Sequence, residues 1–379
     1  MDESLRLGRI GGIQIGANWS LLIVFFLIVW SLAGSLFPQD VPGQTQAAYW
    51  LAAVVAAFLF YASLLAHELG HAVVARRMGI AVEGITLWLF GGVARLRGEA
   101  SSPGGEARIA LAGPVVSFGL AVLFGLATYL LDPIRGAGLA EGATAWLAGT
   151  NLLLAIFNLI PAYPLDGGRV LRAFLWRRNG DRLRATAQAA RGGRLFGYLL
   201  IAYGILGFFF GGSVSGVWSV FLGWFILSAA RSEESHVLIR GALSGIRVAD
   251  VMTPNPVVAP GWITVEEFLN SYVFTHRFTA FPLKTFEGKL DGLITLSRLK
   301  DVAPEARRAT RVRDLACGLD EVATSAPFEP LINLLDRTGS CGDGRVLVLQ
   351  GGELVGIVSP TDINRALRMA ALRGAPLPT

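Results

Sequence analysis

Charge is what this chain has least of. Lys, Arg, Asp and Glu together make up 16% of its 379 residues, against roughly 25% in an average soluble protein, and the mean hydropathy is +0.52. That balance excludes a wholly soluble globular protein and describes a membrane protein. Cysteine is nearly absent: Cys317 and Cys341 are the only two, and they form no CxxC. A disulfide-dense secreted scaffold is therefore excluded, and reduced thiols without a disulfide framework are the expected state. A cleavable leader is not expected, since the apolar run from Leu21 is long and no small-residue cleavage site follows it. The net charge of +5 comes from arginines that flank apolar runs, where topology accounts for them, so no direct nucleic-acid contact is expected.

Long apolar runs are abundant. Against the ~20 residues needed to cross a bilayer, six stretches qualify: about 19–36, 48–77, 107–131, 143–163, 195–211 and 215–230. An even number puts both termini on one side. Arg6 and Arg9 precede the first run, Arg76, Arg77, Arg95 and Arg97 follow the second, and Arg177, Arg178, Arg182, Arg184, Arg191 and Arg194 lie between the fourth and fifth, whereas Arg135 stands alone on the opposite side. By the positive-inside rule the N-terminus and everything after the last span face the cytoplasm of a multi-pass cell-membrane protein.

Between the second and third runs, "VEGITLWLFGGVARLRGEA" alternates apolar and polar residues around Gly91-Gly92, the pattern of a β-hairpin. Irregular backbone at membrane depth survives only against protein or a water-filled cavity, so a re-entrant hairpin lining a site is expected. The early stretch "LRLGRIGGIQIG" reads as a further short strand. After Ser235 the composition becomes that of a soluble domain, and a repeat emerges: "RVADVM" at Arg247 returns as "RVRDLA" at Arg311, and "GLIT" at Gly292 as "GIVS" at Gly356, both at an offset of about 64. One offset for two separated matches indicates duplication. Each copy reads strand, helix, strand, strand, helix.

The chemistry lies in "YASLLAHELGHAVVA". His67-Glu68-Leu69-Gly70-His71 is an HExxH pattern, in which residues four apart on a helix put both imidazoles on one face, within reach of one Zn²⁺, with Glu68 beside them as a general base. In a soluble helix such histidines are often plain surface residues. Inside an apolar run, desolvating three such groups without partners costs several kcal/mol, which favours a metal site. A catalytic zinc needs about three protein ligands. His236 and His276 fall in or near the soluble repeat and read as ordinary polar residues. The fourth run ends in "FNLIPAYPLDGGRVLRA", which sets Asp166 between two helix-breaking prolines and Gly167-Gly168. At ~1.5 Å per helical residue, His67, His71 and Asp166 lie at similar depths from their arginine-rich edges. The plainer alternative for Asp166 is a turn-forming Asp-Gly.

These residues carry a resemblance. HELGH on one span and Asn158-x-x-Pro161-x-x-Pro164-Leu165-Asp166-Gly167-Gly168 on a later one resemble the site-2 protease family of intramembrane zinc metalloproteases (M50-type), and the six-span layout with a C-terminal pair of CBS (cystathionine β-synthase) modules resembles one branch of it. The resemblance implies a polytopic α-helical membrane domain over 1–235, a linker at 236–246, and a soluble α/β tandem CBS domain with units at 247–305 and 306–379. It implies that His67, His71 and Asp166 bind one zinc, that Glu68 activates water, and that Asn158 contacts the substrate backbone or the oxyanion; a helix-packing role remains open for Asn158. The implied substrate is a single-span membrane protein, such as an anti-sigma factor or membrane-bound regulator, cleaved within the bilayer. In CBS modules the element G-h-h-[ST]-x-x-D holds an adenine nucleotide. The second unit matches it with Gly356, Ser359 and Asp362, whereas the first has Gly292 and Thr295 but Arg298 in place of the aspartate. A nucleotide-free pair that packs or dimerises is the alternative. Two other classes compete: a CBS-gated transporter, against which the polar residues are too concentrated, and a catalytically silent partner-binding relative, against which Glu68 is retained.

Overall fold

The computed structural model describes residues 5–88, 91–98, 100–132, 134, 137–211, 215–335, 337 and 341–372. Leu89, Phe90 and Arg135 lie outside them. The chain divides into two compact units, Met1–Glu234 and Ser235–Thr379.

The first unit opens with two strands where the sequence suggests one, β1 (Leu5–Ile10) and β2 (Ile13–Ala17), paired antiparallel. The Gly11-Gly12 turn, with both residues at positive φ, accounts for the difference, since it folds one alternating stretch back on itself. Helix α1 (Ser20–Ser31) runs through a π turn at Leu32–Leu36 into α2 (Phe37–Asp40), and α3 (Gln46–Arg77) follows. Strands β3 (Ala81–Trp88) and β4 (Gly91–Arg97) form the expected hairpin, joined to β2 by parallel β2–β3 pairing in a sheet of order β1-β2-β3-β4. Ile13 and Ile15, two apart on β2, and Ile85 and Leu87, two apart on β3, point to one face. They bury against Leu64 and Ala72 of α3, and so fix the sheet on the helix that carries HELGH.

Helices α4 (Pro103–Leu131), α5 (Gly138–Asn158), α6 (Asp166–Asn179), α7 (Arg182–Gly211) and α8 (Ser215–Leu243) complete the bundle. Among the described residues, five helical segments are long and apolar enough to cross a membrane: Ser20–Asp40, Gln46–Arg77, Pro103–Leu131, Gly138–Asn158 and Arg182–Phe210. These are apolar all round, with Leu51, Phe58 and Phe210 turned outward, as a helix in lipid requires. The sixth expected span, 215–230, lies in α8 and is not among the five. Arg231, Glu233 and Glu234 cut its apolar stretch short. The fourth expected span also differs, stopping at Asn158.

In the second unit two four-stranded sheets share one plan. One runs β6 (Ala259–Pro260), β7 (Ala280–Lys284), β8 (Leu290–Thr295), β9 (Cys317–Gly318); the other runs β10 (Ala323–Ser325), β11 (Val346–Gln350), β12 (Glu353–Val358), β5 (Thr253–Pro254). In each the first pair is parallel and the next two are antiparallel. The edge strands are exchanged: β5 lies in the first copy yet closes the second sheet, and β9 does the reverse. The first sheet therefore extends past residue 305, and α8 continues to Leu243 through most of the expected linker. Helices are shorter than the repeat suggests, α9 (Val265–Phe268) and α10 (Leu296–Leu299) being single turns and α11 (Pro360–Leu372) the long one. Each sheet has its own core, one around Phe268, Phe281 and Leu283, the other around Leu331, Val346 and Val358.

The cysteines correct the sequence reading, since Cys317 and Cys341 are joined in a disulfide. Strand exchange is the reason. It carries Cys317 onto β8, beside the segment that leads into β11, and brings the two Cα atoms to 5.9 Å.

Candidate metal centre

Helix α3 presents His67 and His71 on one face, and α6 begins at Asp166 directly opposite. The Nε2 atoms of the two histidines are 3.2 Å apart, and Asp166 Oδ2 is 3.3 Å from His67 Nε2 and 3.2 Å from His71 Nε2. Tetrahedral zinc with ligand bonds of about 2.0–2.1 Å requires ligand atoms about 3.3–3.4 Å apart. The triangle fits that ion, and among the described residues these three form a His/Asp group able to hold one.

Helix α4 prepares the histidines, a contribution the sequence reading missed. His71 Nδ1 donates to the Ile109 carbonyl at 2.7 Å, so in the neutral ring Nε2 carries the lone pair that a metal needs. His67 Nδ1 lies 2.8 Å from Ser117 Oγ. Between these two contacts stands Gly113, where a Cβ would lie 2.2 Å from His71 Nε2 and 2.5 Å from His67 Nε2. Ile109, Gly113 and Ser117 are spaced by four, so one stripe of α4 holds both rings and keeps the space beside their Nε2 atoms free of a side chain. The available signal was Gly113-Pro114 within an apolar run, with Pro114 inside the helix.

Asp166 owes its position to a fold-back. Residues after Asn158 double back over the start of α6 so closely that a Cβ on Gly167 would lie 2.2 Å from the Leu159 carbonyl oxygen, and one on Gly168 would lie 2.4 Å from the Tyr163 nitrogen. Arg172, two turns along α6, then bonds buried Glu106 of α4 through Nε at 2.5 Å and Nη2, and reaches Glu233 of α8 at 3.4 Å. This ion pair fastens the helix that carries Asp166 to the helix that orients the two imidazoles.

Glu68 lies under the hairpin. A Cβ on Gly92 of β4 would fall 2.3 Å from Glu68 Cγ, so the hairpin meets the expected general base with no side chain between. Asn158 turns inward on its own helix, with Nδ2 donating to the Leu154 carbonyl at 3.0 Å.

In the second unit a cleft of about 360 Å³ is lined by Thr253, Arg277, Thr279, Arg345, Ser359, Asp362 and Arg365, among others. Asp362 Oδ2 accepts from Ser359 N at 2.9 Å and from Ser359 Oγ at 2.6 Å, capping α11. Thr295 is buried, its Oγ1 2.7 Å from Ser297 Oγ, and Arg298 Nη1 donates to the Leu315 carbonyl at 2.9 Å. His236 and His276 are not part of the metal cluster.

Two histidines and an aspartate at ligand spacing, with a glutamate beside them inside an apolar helix bundle, define a membrane-embedded metallohydrolase. The peptidase family M50 profile matches residues 55–135 and 133–201. Rip3 of Mycobacterium tuberculosis is 47% identical over 380 residues, covering 100% of this chain and 96% of that one. Zinc metalloprotease MJ0392 of Methanocaldococcus jannaschii is 31% identical over 98% of each. A solved site-2 protease from the same organism aligns at 31% identity and TM-score 0.44, over 61% of this chain and 94% of that one. The chain belongs to peptidase family M50, the site-2 proteases, and is a zinc metalloendopeptidase of that type.

Proposed function

We propose that the protein cleaves single-span membrane proteins within or near their transmembrane helix. The observation that carries this is the ligand triangle buried among lipid-facing helices, since a water-dependent hydrolytic site at that depth is suited to a peptide bond that reaches it through the membrane. His67, His71 and Asp166 hold the zinc. When bound, zinc polarises the scissile carbonyl and acidifies a water. Glu68 takes the water's proton and passes it to the leaving amine. A substrate helix hides its peptide bonds and must unwind. The edge strand β4, whose Gly92 rests on Glu68, is the proposed dock for the unwound segment by strand addition. Asn158 would exchange its Leu154 bond for the substrate backbone or oxyanion.

In this reading 215–230 is a sixth span, supported by its packing on α7, where Gly197 faces Gly223 and Gly204 faces Gly216 closely enough that an added Cβ would strike the opposite backbone. The N-terminus and the CBS-type pair are then cytoplasmic. The pair regulates cleavage by binding an adenine nucleotide in the second-unit cleft, where Ser359 and Asp362 suit a ribose and Arg277, Arg345 and Arg365 suit phosphates. The nucleotide is held mainly by the motif of the second repeat, because in the first repeat Thr295 is buried and Arg298 is engaged with the Leu315 carbonyl. A homodimer through the pair is the alternative use. The released fragment is a regulator, such as an anti-sigma factor or membrane-tethered transcription factor.

The test is co-expression of single-span substrates with wild type and Glu68→Gln. The variant keeps its zinc and loses cleavage by at least ~10²-fold; unchanged turnover refutes the mechanism.

A further inference from the structure

The positions that line the cleft have counterparts in the other repeat of the same unit. The 64-residue offset of the repeat carries Thr253 to Cys317, Ser359 to Thr295 and Asp362 to Arg298, and the exchanged strands β5 and β9 are equivalent. Where Thr253 lines the open cleft, its counterpart Cys317 is tied into the bridge to Cys341. Cys317 is fully buried on β9, whereas Cys341 is partly exposed. Arg298 closes the other side, with Nη2 3.1 Å from Cys341 Sγ.

The bridge is joined to the cleft by one short loop. Residues Gly342, Asp343 and Gly344 all have positive φ, at 91°, 51° and 72°, and Arg345 follows. Two of the three are glycines, which adopt positive φ freely, so the loop has little stiffness of its own and its shape depends on what anchors it. Cys341 anchors one end. Asp343 Oδ2 accepts from Ser297 Oγ at 2.5 Å in the middle. Arg345, a lining residue of the second-unit cleft, donates through Nη2 to Thr279 Oγ1 at 2.6 Å.

We propose that Cys317 and Cys341 are a reversible thiol–disulfide site whose state sets the loop that presents Arg345 to the second-unit cleft. On the cytoplasmic side such bonds are characteristically transient and redox-sensing, not structural. The exposed sulfur reacts first. The Cys341 thiolate, beside the Arg298 guanidinium, attacks a low-molecular-weight disulfide R–S–S–R; a mixed disulfide forms and RS⁻ leaves. The Cys317 thiolate then attacks the Cys341 sulfur and expels the second RS⁻. Two protein thiols give up two electrons and two protons, and two RSH result. With the bridge closed, Arg345 is held ready for a phosphate; with it open, the loop must be ordered on binding. That last consequence rests on the nucleotide reading above.

The experiment uses the full chain in detergent, equilibrated in glutathione buffers from fully reduced to fully oxidised. Free thiols are counted by a polymer-linked maleimide on gels. In wild type, two thiols disappear together as the buffer is oxidised, and Cys317→Ser keeps one thiol without a bridge. Hydrogen exchange on the same samples is faster by roughly tenfold in peptides over 341–346 when the bridge is open, and in Cys317→Ser at every ratio, with β7 and β8 unchanged. ATP affinity, by calorimetry, falls by roughly threefold or more on reduction and is insensitive to glutathione in Cys317→Ser. Two free thiols in every buffer, a bridge that no ratio opens in folded protein, or identical exchange in both states overturns the proposal. Absence of ATP heat in both states counts against the nucleotide reading alone, because thiol counting and exchange decide the switch without it.

Discussion

Gly113→Ala tests the metal centre without touching a ligand. The added methyl carbon would stand 2.2 Å from His71 Nε2 and 2.5 Å from His67 Nε2, where an ordinary nonbonded contact is about 3.5 Å. The overlap is about 1 Å on each ring. Either α4 retreats by that distance, or the rings swing and give up the Nδ1 contacts with Ser117 and Ile109. Overpacking of this kind costs about 1–3 kcal/mol of stability, and loss of the outer hydrogen bonds of a ligand typically costs 10–100-fold in metal affinity. Because the methyl crowds both Nε2 atoms directly, we expect a loss at or above the upper figure. Gly119→Ala is the control: same helix, same change, with nothing within 4 Å of the new carbon. Zinc per chain is measured after equilibration against a series of chelators, alongside thermal unfolding in detergent. Gly119→Ala retains zinc as wild type does, and Gly113→Ala releases it to weaker chelators while remaining folded. Equal retention in the two variants would show that the space beside the Nε2 atoms is not where the metal binds.

Asp166→Ala lowers zinc content whereas His236→Ala leaves it intact; full zinc in Asp166→Ala removes that residue from the site. Arg172→Ala leaves Glu106, which is 1% exposed, as an uncompensated buried charge, a loss of about 3–5 kcal/mol; thermal unfolding reads it, and Arg172→Ala with Glu106→Gln recovers part of the loss. In the second unit Asp362→Ala weakens ATP binding more than Arg298→Ala does. Because Asp362 also caps α11, the comparison is made with circular dichroism showing α11 intact, and equal affinities in the two variants contradict the cleft assignment.

Much of the first unit was legible because bilayers impose simple rules. Apolar length marked the helices, alternation around Gly91-Gly92 marked the hairpin, and the four-residue spacing of His67 and His71 placed both rings on one face whatever surrounded them. The third corner of the triangle was legible through depth and through the prolines and glycines around Asp166. The 64-residue repeat likewise foretold two copies of one sheet.

What the sequence by itself determined is therefore local and periodic: which segments are helices in lipid, which face carries the imidazoles, and that the soluble half is duplicated. The tertiary structure alone decided the rest, because it depends on which distant backbones approach one another. Ile109, Gly113 and Ser117 carry no metal-binding chemistry, and they matter only because α4 crosses α3 at the histidines. Gly92 matters because β4 passes over Glu68. The disulfide is the sharpest case. Two cysteines separated by 24 positions meet only because the repeats exchange edge strands, and no periodicity in a single chain records a strand that pairs with the other copy.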